Sequence, residues 1–119
     1  MQIGELAREC GTSTRTLRYY EQHGLLQSER DTNGYRRYGT DAVLTVRQIR
    51  ALLRAGFSTA AIAELLPCAR GEEPLLDHCP KTVALVRETL DRIEAELSTL
   101  EGKHACMSTL LPRTGRRAG

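Results

Sequence analysis

The chain has 119 residues, and 17 Lys or Arg against 15 Asp or Glu give it a formal net charge of only +2. Its length favours a single domain, or a small domain with an appended arm, whose limited core would gain stability from oligomerisation. No apolar stretch approaches membrane-spanning length and the first residues form an amphipathic pattern, so we expect no membrane span and no signal peptide, and a cytoplasmic protein.

The charge is unevenly distributed along the chain. Up to Phe57 there are nine arginines and six acidic residues, whereas eight basic and nine acidic residues follow. The basic excess therefore coincides with segments in which arginines lie beside tyrosines. With one Phe and no Trp, the core must consist mainly of aliphatic side chains, which fits a helical protein.

The first elements predicted are two short helices. One begins near Ile3 and should end at Gly11, because glycine readily takes the left-handed conformation at a helix end. Ser13 is a good N-cap for a second helix from about Thr14 to His23. Two helices joined by so short a turn predict a helix-turn-helix.

A small β-ribbon should follow the second helix. Residues 28–38 are polar and contain Asn33-Gly34, the strongest short-range signal for a two-residue hairpin turn. The turn leads into arginines flanked by tyrosines. We interpret this segment as a wing beside the helix-turn-helix.

Two further helices complete the predicted first domain, residues 1–66. The third runs from Thr40 to Gly56 with apolar residues at helical spacing, and the fourth follows the cap residue Ser58. Pro67 should end the fourth helix because proline cannot continue the backbone hydrogen bonds. Residues 67–79 combine Pro, Gly, acidic residues and two cysteines, and we predict a linker that is a candidate sensor loop.

Beyond Pro80 the apolar pattern changes to an uninterrupted heptad repeat. One narrow stripe of this kind cannot be buried on a small helical domain, so it predicts a coiled-coil homodimer over residues 80–111. Residues 112–119 are rich in Arg and Gly, and we expect a disordered tail. The apolar seam comprises Val83, Val86, Leu90, Ile93, Leu97, Leu100, Met107 and Leu111, with His104 as a polar break that sets the register.

Five motifs occur in a fixed order along the chain. They are IGELA at 3–7, TLRYYEQHGLL at 16–26, NGYRRY at 33–38, RALLRAGFS at 50–58, and the final heptad helix. In this order and spacing they resemble the MerR family of bacterial transcription regulators. The likeness covers residues 1 to about 111 and is most specific in the amino-terminal half.

The resemblance implies a mainly α fold in which a winged helix-turn-helix DNA-binding domain precedes a long dimerisation helix. The long helices of two subunits would pair as an antiparallel coiled coil. The homodimer would bind a pseudo-palindromic promoter operator and distort the DNA so that RNA polymerase engages both promoter hexamers. An alternative is a protein-interaction module whose helix-turn-helix is only a scaffold. An enzyme is disfavoured, because no convincing nucleophile and base occur together.

The resemblance also assigns the DNA contacts. The recognition helix would point its amino-terminal part at base edges, with Tyr19 reaching a phosphate, while Tyr20 could either touch DNA or pack beneath the helix. The wing would contact the sugar-phosphate backbone, although an isolated ribbon of this sequence would be merely solvated. The predicted DNA-contacting residues are Thr14, Arg15, Arg18, Tyr19, Arg36, Arg37 and Tyr38.

The four cysteines raise the question of a sensed signal. If antiparallel helices cross near residue 93, Cys79 approaches Cys106 of the partner subunit. Cys68, His78 and His104 would then add donors for a thiophilic metal ion such as Zn²⁺ or Cu⁺, with redox chemistry as the alternative.

The resemblance to the metal sensors of the family is incomplete at this site. Those proteins place further ligands in a loop after the long helix, and no Cys or His occurs here between Pro112 and Gly119. Each cysteine can also be interpreted as a small packing residue. The cofactor, if there is one, therefore stays open at this point.

Overall fold

The computed structural model describes residues 1–72 and 75–112. A first compact unit covers Met1–Leu85 and a second begins at Val86. The predicted mainly helical fold with a long carboxy-terminal helix is confirmed, and the predicted tail falls outside the described residues except for Pro112. The elements are α1 (Ile3–Cys10), α2 (Thr14–Gln22), β1 (Glu29–Arg30), β2 (Arg36–Arg37), α3 (Ala42–Arg54), α4 (Thr59–Leu65), β3 (Ala69–Arg70), β4 (Leu75–Leu76) and α5 (Pro80–Thr109).

The helix-turn-helix forms as the sequence predicted. Gly11 follows α1 with a φ of 65°, and the backbone N–H of Thr12 donates to the carbonyl of Ala7 at 3.0 Å. Ser13 then caps α2, because its Oγ accepts the backbone N–H of Thr16 at 3.1 Å. Left-handed glycine and serine cap together reverse the chain within three residues, which fixes the angle between α1 and α2.

One hydrophobic core holds the first unit together. Helix α1 packs against α2 and α3, and α3 packs against α4. Ser58 caps α4 as predicted, since its Oγ accepts the Ala61 N–H at 3.1 Å. The largest fully buried side chains are Leu6, Leu17, Val46, Ile49, Ile62 and Leu65.

The wing exists, but its turn differs from the predicted one. Strands β1 and β2 are antiparallel, with Arg30 opposite Arg36. A two-residue turn of the expected type needs a positive φ at both central residues. Among the described residues only glycines have a positive φ, and at this turn that glycine is Gly34, at 81°. The chain instead makes a longer loop, in which the N–H of Gly34 donates to the Asp31 carbonyl at 3.0 Å.

The side chain of Asp31 explains why the longer loop is stable. Its Oδ1 accepts the backbone N–H groups of Asn33 at 2.9 Å and Tyr35 at 3.0 Å. An aspartate that accepts hydrogen bonds from the backbone just ahead of it stabilises a turn locally. The sequence interpretation gave the turn to Asn33-Gly34 and overlooked this residue.

The predicted linker, residues 67–79, contains regular structure. A 3₁₀ turn, Leu66–Cys68, runs into the antiparallel hairpin of β3 and β4. The hairpin is attached to α3, because Gln48 Nε2 donates to the Gly71 carbonyl at 3.2 Å and Arg47 forms an ion pair with Glu72. Backbone pairing and contacts with α3 thus give the described part of the predicted linker a regular structure.

Helix α5 is 30 residues long and carries the heptad repeat. The apolar seam side chains from Leu90 to Leu111 are exposed by between 37% at Ile93 and 70% at Leu111, whereas Val86 is half-buried. None of the helices in the described residues has the length and apolarity needed to cross a membrane. A long helix with an uncovered apolar stripe lacks a partner for that stripe within the described part of its own chain.

Candidate nucleic-acid interface

Helix α2 has one buried and one exposed face. Leu17 and Tyr20 are 0% and 4% exposed, and both belong to the core. Arg15 and Arg18 lie on the exposed face. Tyr20 therefore packs beneath the helix. Of the two roles that the sequence left open for Tyr20, DNA contact and packing, the structure supports packing. The helix presents its two arginines outward on a rigid, core-anchored scaffold.

Neither arginine of α2 is engaged within the described part of the protein. In the described ranges, the guanidinium groups of Arg15 and Arg18 form no ion pair and no hydrogen bond to another residue. Arginine presents several N–H donors in a planar fork that matches both phosphate oxygens and the major-groove edge of guanine. These two side chains are thus available to bind an external acceptor.

Tyr19 and Thr14 lie at opposite ends of the same helix. Tyr19 is 46% exposed, and its ring stacks at a tilt on that of His23, with ring centres 4.1 Å apart. The contact with His23 restricts the orientation of the Tyr19 ring and leaves part of its surface open. Thr14, the first residue of α2, is half-buried.

The wing arginines are paired in the free protein. Arg36 Nη1 lies 3.1 Å from Glu21 Oε2, and Arg37 Nε lies 3.1 Å from Asp31 Oδ2. Partial burial of Asp31 opposes its ionisation, but the hydrogen bonds from Arg37 and from the backbone of Tyr35 and Asn33 outweigh it and lower its pKa. About half of each arginine side chain remains exposed. These ion pairs orient the guanidinium groups at the wing surface.

The structure corrects the expected role of Tyr38. Its side chain is only 2% exposed, and its hydroxyl donates a hydrogen bond of 2.5 Å to Glu21 Oε1. Its backbone also exchanges hydrogen bonds with Met1, at 2.7 and 2.9 Å. Tyr38 thus fastens the wing to the core and to α2, and its ring is unavailable to DNA. An aromatic residue after a strand of arginines gave no sequence signal of burial.

A substitution tests this anchoring role. Burial, followed by the hydrogen bond to Glu21, raises the pKa of Tyr38 from 10.0 to about 12. Tyr38→Phe should lower the free energy of unfolding by about 1.5 kcal/mol, because it removes a hydrogen bond to a charged group. The stability due to the raised pKa is fully present below pH 10 and is lost as the pH rises toward 12. Tyr38→Phe should therefore flatten the alkaline limb of the stability profile.

Chemical denaturation between pH 7 and 11 measures both effects. Tyr35→Phe is the matched control, since Tyr35 is 63% exposed and its side chain makes no hydrogen bond in the described ranges. The free energy of unfolding of Tyr35→Phe should equal that of wild type at every pH measured. Equal stability of Tyr38→Phe and wild type at pH 7 would contradict the anchoring role.

Tyr35 is an exposed residue to which the sequence interpretation gave no role. It lies just ahead of Arg36, at the end of the wing loop. Its backbone N–H is held by Asp31 Oδ1 at 3.0 Å. A large exposed aromatic residue held beside two arginines is a suitable contact for a sugar-phosphate backbone. Its place in the NGYRRY motif was the signal that could have identified it.

The predicted sensor residues are spread over both units. Cys68 and Cys79 lie in the first unit and are both half-buried, and the N–H of Asp77, two residues before Cys79, donates to the Cys68 carbonyl at 2.9 Å. Cys106 and His104 are exposed on α5 within the second unit, and His78 is exposed beside Cys79. No group of three or more His, Cys, Asp or Glu side chains that could hold a metal ion occurs in residues 1–72 and 75–112. One protomer therefore does not form a complete metal site in its described part.

These features define a winged helix-turn-helix protein of the DNA-binding class. Residues 1–68 match the family described as MerR HTH family regulatory protein. The chain belongs to this family, and it is a DNA-binding transcriptional regulator and not an enzyme.

Two relatives show the extent of the likeness. The nodulation protein NolA of Bradyrhizobium elkanii is 41% identical over 98 residues, which are 82% of this chain and 40% of NolA. The mercuric resistance operon regulatory protein of Pseudomonas fluorescens is 31% identical over 120 residues, covering 100% of this chain and 80% of the relative. The chain thus spans less than half of NolA and most of the mercuric regulator.

A solved structure shares the fold. The transcription regulator PbrR691 from Ralstonia metallidurans CH34, solved in complex with lead(II), aligns with a TM-score of 0.73 at 24% identity. The alignment covers 100% of this chain and 94% of PbrR691. At this level of identity the likeness shows the fold alone.

Proposed function

We propose that two copies of this chain bind a pseudo-palindromic operator in promoter DNA and control transcription by distorting the duplex. Helix α2 of each copy enters the major groove, and each wing lies along the adjacent backbone. The changed DNA shape then determines whether RNA polymerase engages both promoter hexamers. In this mechanism the operator is recognised by base contacts and also by its deformability.

The observation that carries the proposal is the state of the α2 arginines. Within the described residues Arg15 and Arg18 are exposed and unpaired, whereas Leu17 and Tyr20 fix the same helix to the core. We propose that the two arginines contact bases and that Thr14 and Tyr19 contact DNA at the two ends of the helix. A rigid helix with available guanidinium groups matches the needs of major-groove recognition. The proposed backbone contacts from the wing are Arg36, Arg37 and Tyr35.

The second copy is proposed from the apolar seam of α5. Leu97, Leu100 and Met107 are 54%, 60% and 67% exposed, and they recur at heptad spacing. Burial of apolar surface contributes about 25 cal/mol per Å². An antiparallel pair of α5 helices would cover both seams and would hold two DNA-reading units in one assembly.

The cysteines are proposed to sense a metal ion or a thiol-reactive compound. No group of three or more potential metal ligands occurs within the described part of one protomer, so a metal site with three or more ligands would need donors from a second subunit. In the antiparallel pair, Cys106 of the partner subunit is the candidate, with His78 and His104 as further donors. A bound thiophilic ion would link the two chains at this point.

Selection from a random duplex library tests the proposed DNA binding and identifies the operator in the same experiment. Purified protein should enrich one sequence that contains two half-sites related by two-fold symmetry. Affinity for that sequence should fall steeply as salt is added, because the arginines release counterions from the phosphates. Native mass spectrometry of the complex should show two chains on one duplex.

The control is the same selected duplex with one half-site scrambled. It should bind markedly more weakly if both reading units contact DNA at once. An asymmetric sequence bound by one chain would contradict the dimer. Failure to enrich any duplex at low salt would contradict the function itself.

A further inference from the structure

Glu21 joins helix α2 to the wing. It lies in the last turn of α2, and its Oε1 accepts the hydrogen bond from the Tyr38 hydroxyl at 2.5 Å, while its Oε2 lies 3.1 Å from Nη1 of Arg36. Within the described residues, the side-chain hydrogen bond and the ion pair between α2 and the wing both involve Glu21. One carboxylate therefore attaches the wing to the helix, with each of its oxygens bound to a different residue.

The two partners of Glu21 are arranged to fix the direction of the wing. Arg36 belongs to β2 and Tyr38 follows that strand directly, and residues two apart along an extended chain point to the same side. Attachment at one point would let the wing rotate about that point, whereas attachment at two points also fixes its direction. The Glu21 side chain is only 18% exposed, so water and salt screen these contacts less than they would at an open surface.

The same contacts leave an arginine of α2 available. Arg18 lies three residues before Glu21 and is therefore its neighbour on the helix surface. In the described ranges the Glu21 carboxylate nevertheless pairs with Arg36 and not with Arg18. Arg18 thus stays available for DNA, while Glu21 holds the wing.

We propose that Glu21 is a positioning residue that determines operator specificity without contacting DNA. By holding the wing at a fixed angle to α2, it lets the base contacts of the helix and the backbone contacts of the wing form together on one register of the duplex. Binding to DNA of arbitrary sequence does not need this fixed geometry, because it depends mainly on charge. The inference rests on the proposed DNA binding and names a residue that controls its specificity.

A double variant removes the attachment without leaving a buried hydroxyl unpaired. Glu21→Ala alone would deprive the Tyr38 hydroxyl of its acceptor, whereas apolar replacement of both partners of a hydrogen bond can be nearly neutral for stability. Glu21→Ala/Tyr38→Phe is therefore compared with Tyr38→Phe, which lacks the same hydroxyl but keeps the ion pair of Glu21 with Arg36. Glu88→Ala is the control for lost charge, because it removes an exposed carboxylate from α5.

Fluorescence anisotropy measures binding of each protein to the selected operator and to a scrambled duplex of the same length. The double variant should bind the operator at least about tenfold more weakly than Tyr38→Phe, because the wing must then be ordered during binding. Its affinity for the scrambled duplex should not fall. Glu88→Ala should bind both duplexes within about twofold of wild type, as expected for a surface substitution.

Footprinting locates the lost contacts on the operator. Protection of guanine N7 from methylation reports the proposed major-groove contacts of α2, and protection of the sugars from hydroxyl radicals reports the proposed contacts of the wing. At saturating protein concentration, the double variant should keep the guanine protection and lose the protection due to the wing. Tyr38→Phe should show both.

Equal operator affinity of the double variant and Tyr38→Phe would overturn the proposal. An equal loss of affinity for the operator and the scrambled duplex would overturn it too, since damage to the fold alone would have that result. Wild type that protects no duplex contradicts the DNA-binding proposal. Wild-type protection that the double variant fully retains contradicts the role of Glu21 alone.

Discussion

Arg18→Ala is expected to weaken binding to the selected operator by about five- to a hundredfold while the protein stays folded and keeps its oligomeric state. A bidentate arginine-guanine pair discriminates by about 1–3 kcal/mol, and each 1.4 kcal/mol corresponds to about a tenfold change in affinity. Arg18 is exposed and without an internal partner in the described ranges. Truncating the Arg18 side chain therefore leaves no buried polar group without a hydrogen bond. The loss of operator affinity can then be attributed to the lost contact with DNA.

Fluorescence anisotropy with a labelled operator duplex measures the loss. The matched control is Arg87→Ala, which removes an exposed arginine from α5. The control should bind within about twofold of wild type, as expected for a surface substitution worth less than about 0.5 kcal/mol. Unchanged operator affinity in Arg18→Ala would show that α2 is not the recognition helix.

Ile93→Glu is expected to convert the proposed dimer into monomers and to reduce operator binding by more than a hundredfold. Ile93 lies in the middle of the apolar seam and is 37% exposed in the single chain. In an antiparallel pair crossing near this position, two glutamates would be buried close together without cationic partners. Leaving a buried charge unpaired costs about 3–5 kcal/mol. Each monomer would then bind one half-site independently, without the gain in affinity that comes from linking two DNA-binding units.

Analytical ultracentrifugation at micromolar concentration and operator binding by anisotropy test this result together. Ala95→Glu is the matched control, because residue 95 lies on the outer face of α5 relative to the apolar seam. The control should remain dimeric and bind normally. A dimeric Ile93→Glu protein would place the subunit interface elsewhere.

Sequence reasoning predicted the elements whose ends are determined locally. Gly11, Ser13 and Ser58 act within one turn of the chain, so their residue types alone indicated where α1 ends and where α2 and α4 begin. The heptad repeat predicted α5 just as directly, because apolar residues recur at the same spacing over many turns of the helix. The family resemblance added the order of the elements and the identity of the recognition helix.

The wrong predictions depended on contacts between separate parts of the chain. The Asn33-Gly34 signal was outweighed by Asp31, whose carboxylate organises a longer loop. Tyr38 is buried because α2 supplies Glu21 as a partner for its hydroxyl, which no local pattern reveals. Strands β3 and β4, which the sequence interpretation did not identify, lie in a segment that Gln48 and Arg47 of α3 contact.

The candidate sensor site was only partly predictable for the same reason. Cys68 and Cys79 were recognised individually, but the pairing considered was that of Cys79 with another subunit. The register of β3 and β4 places the backbone of Cys68 beside Asp77, two residues before Cys79, within one chain. Strands of two residues are too short to give a periodic signal. The structure was therefore needed to show that these two segments pair.

The ion pairs of the wing would limit how tightly this surface binds DNA in the proposed complex. Glu21 and Asp31 already neutralise part of the charge of Arg36 and Arg37. In the proposed complex a phosphate would share each guanidinium with the carboxylate already paired to it, so the wing would displace fewer cations from the duplex than two unpaired arginines. The carboxylates of Glu21 and Asp31 would compete with the DNA phosphates for the two guanidinium groups. They would weaken binding to DNA of arbitrary sequence, so that sequence discrimination would depend more on the proposed base contacts of α2.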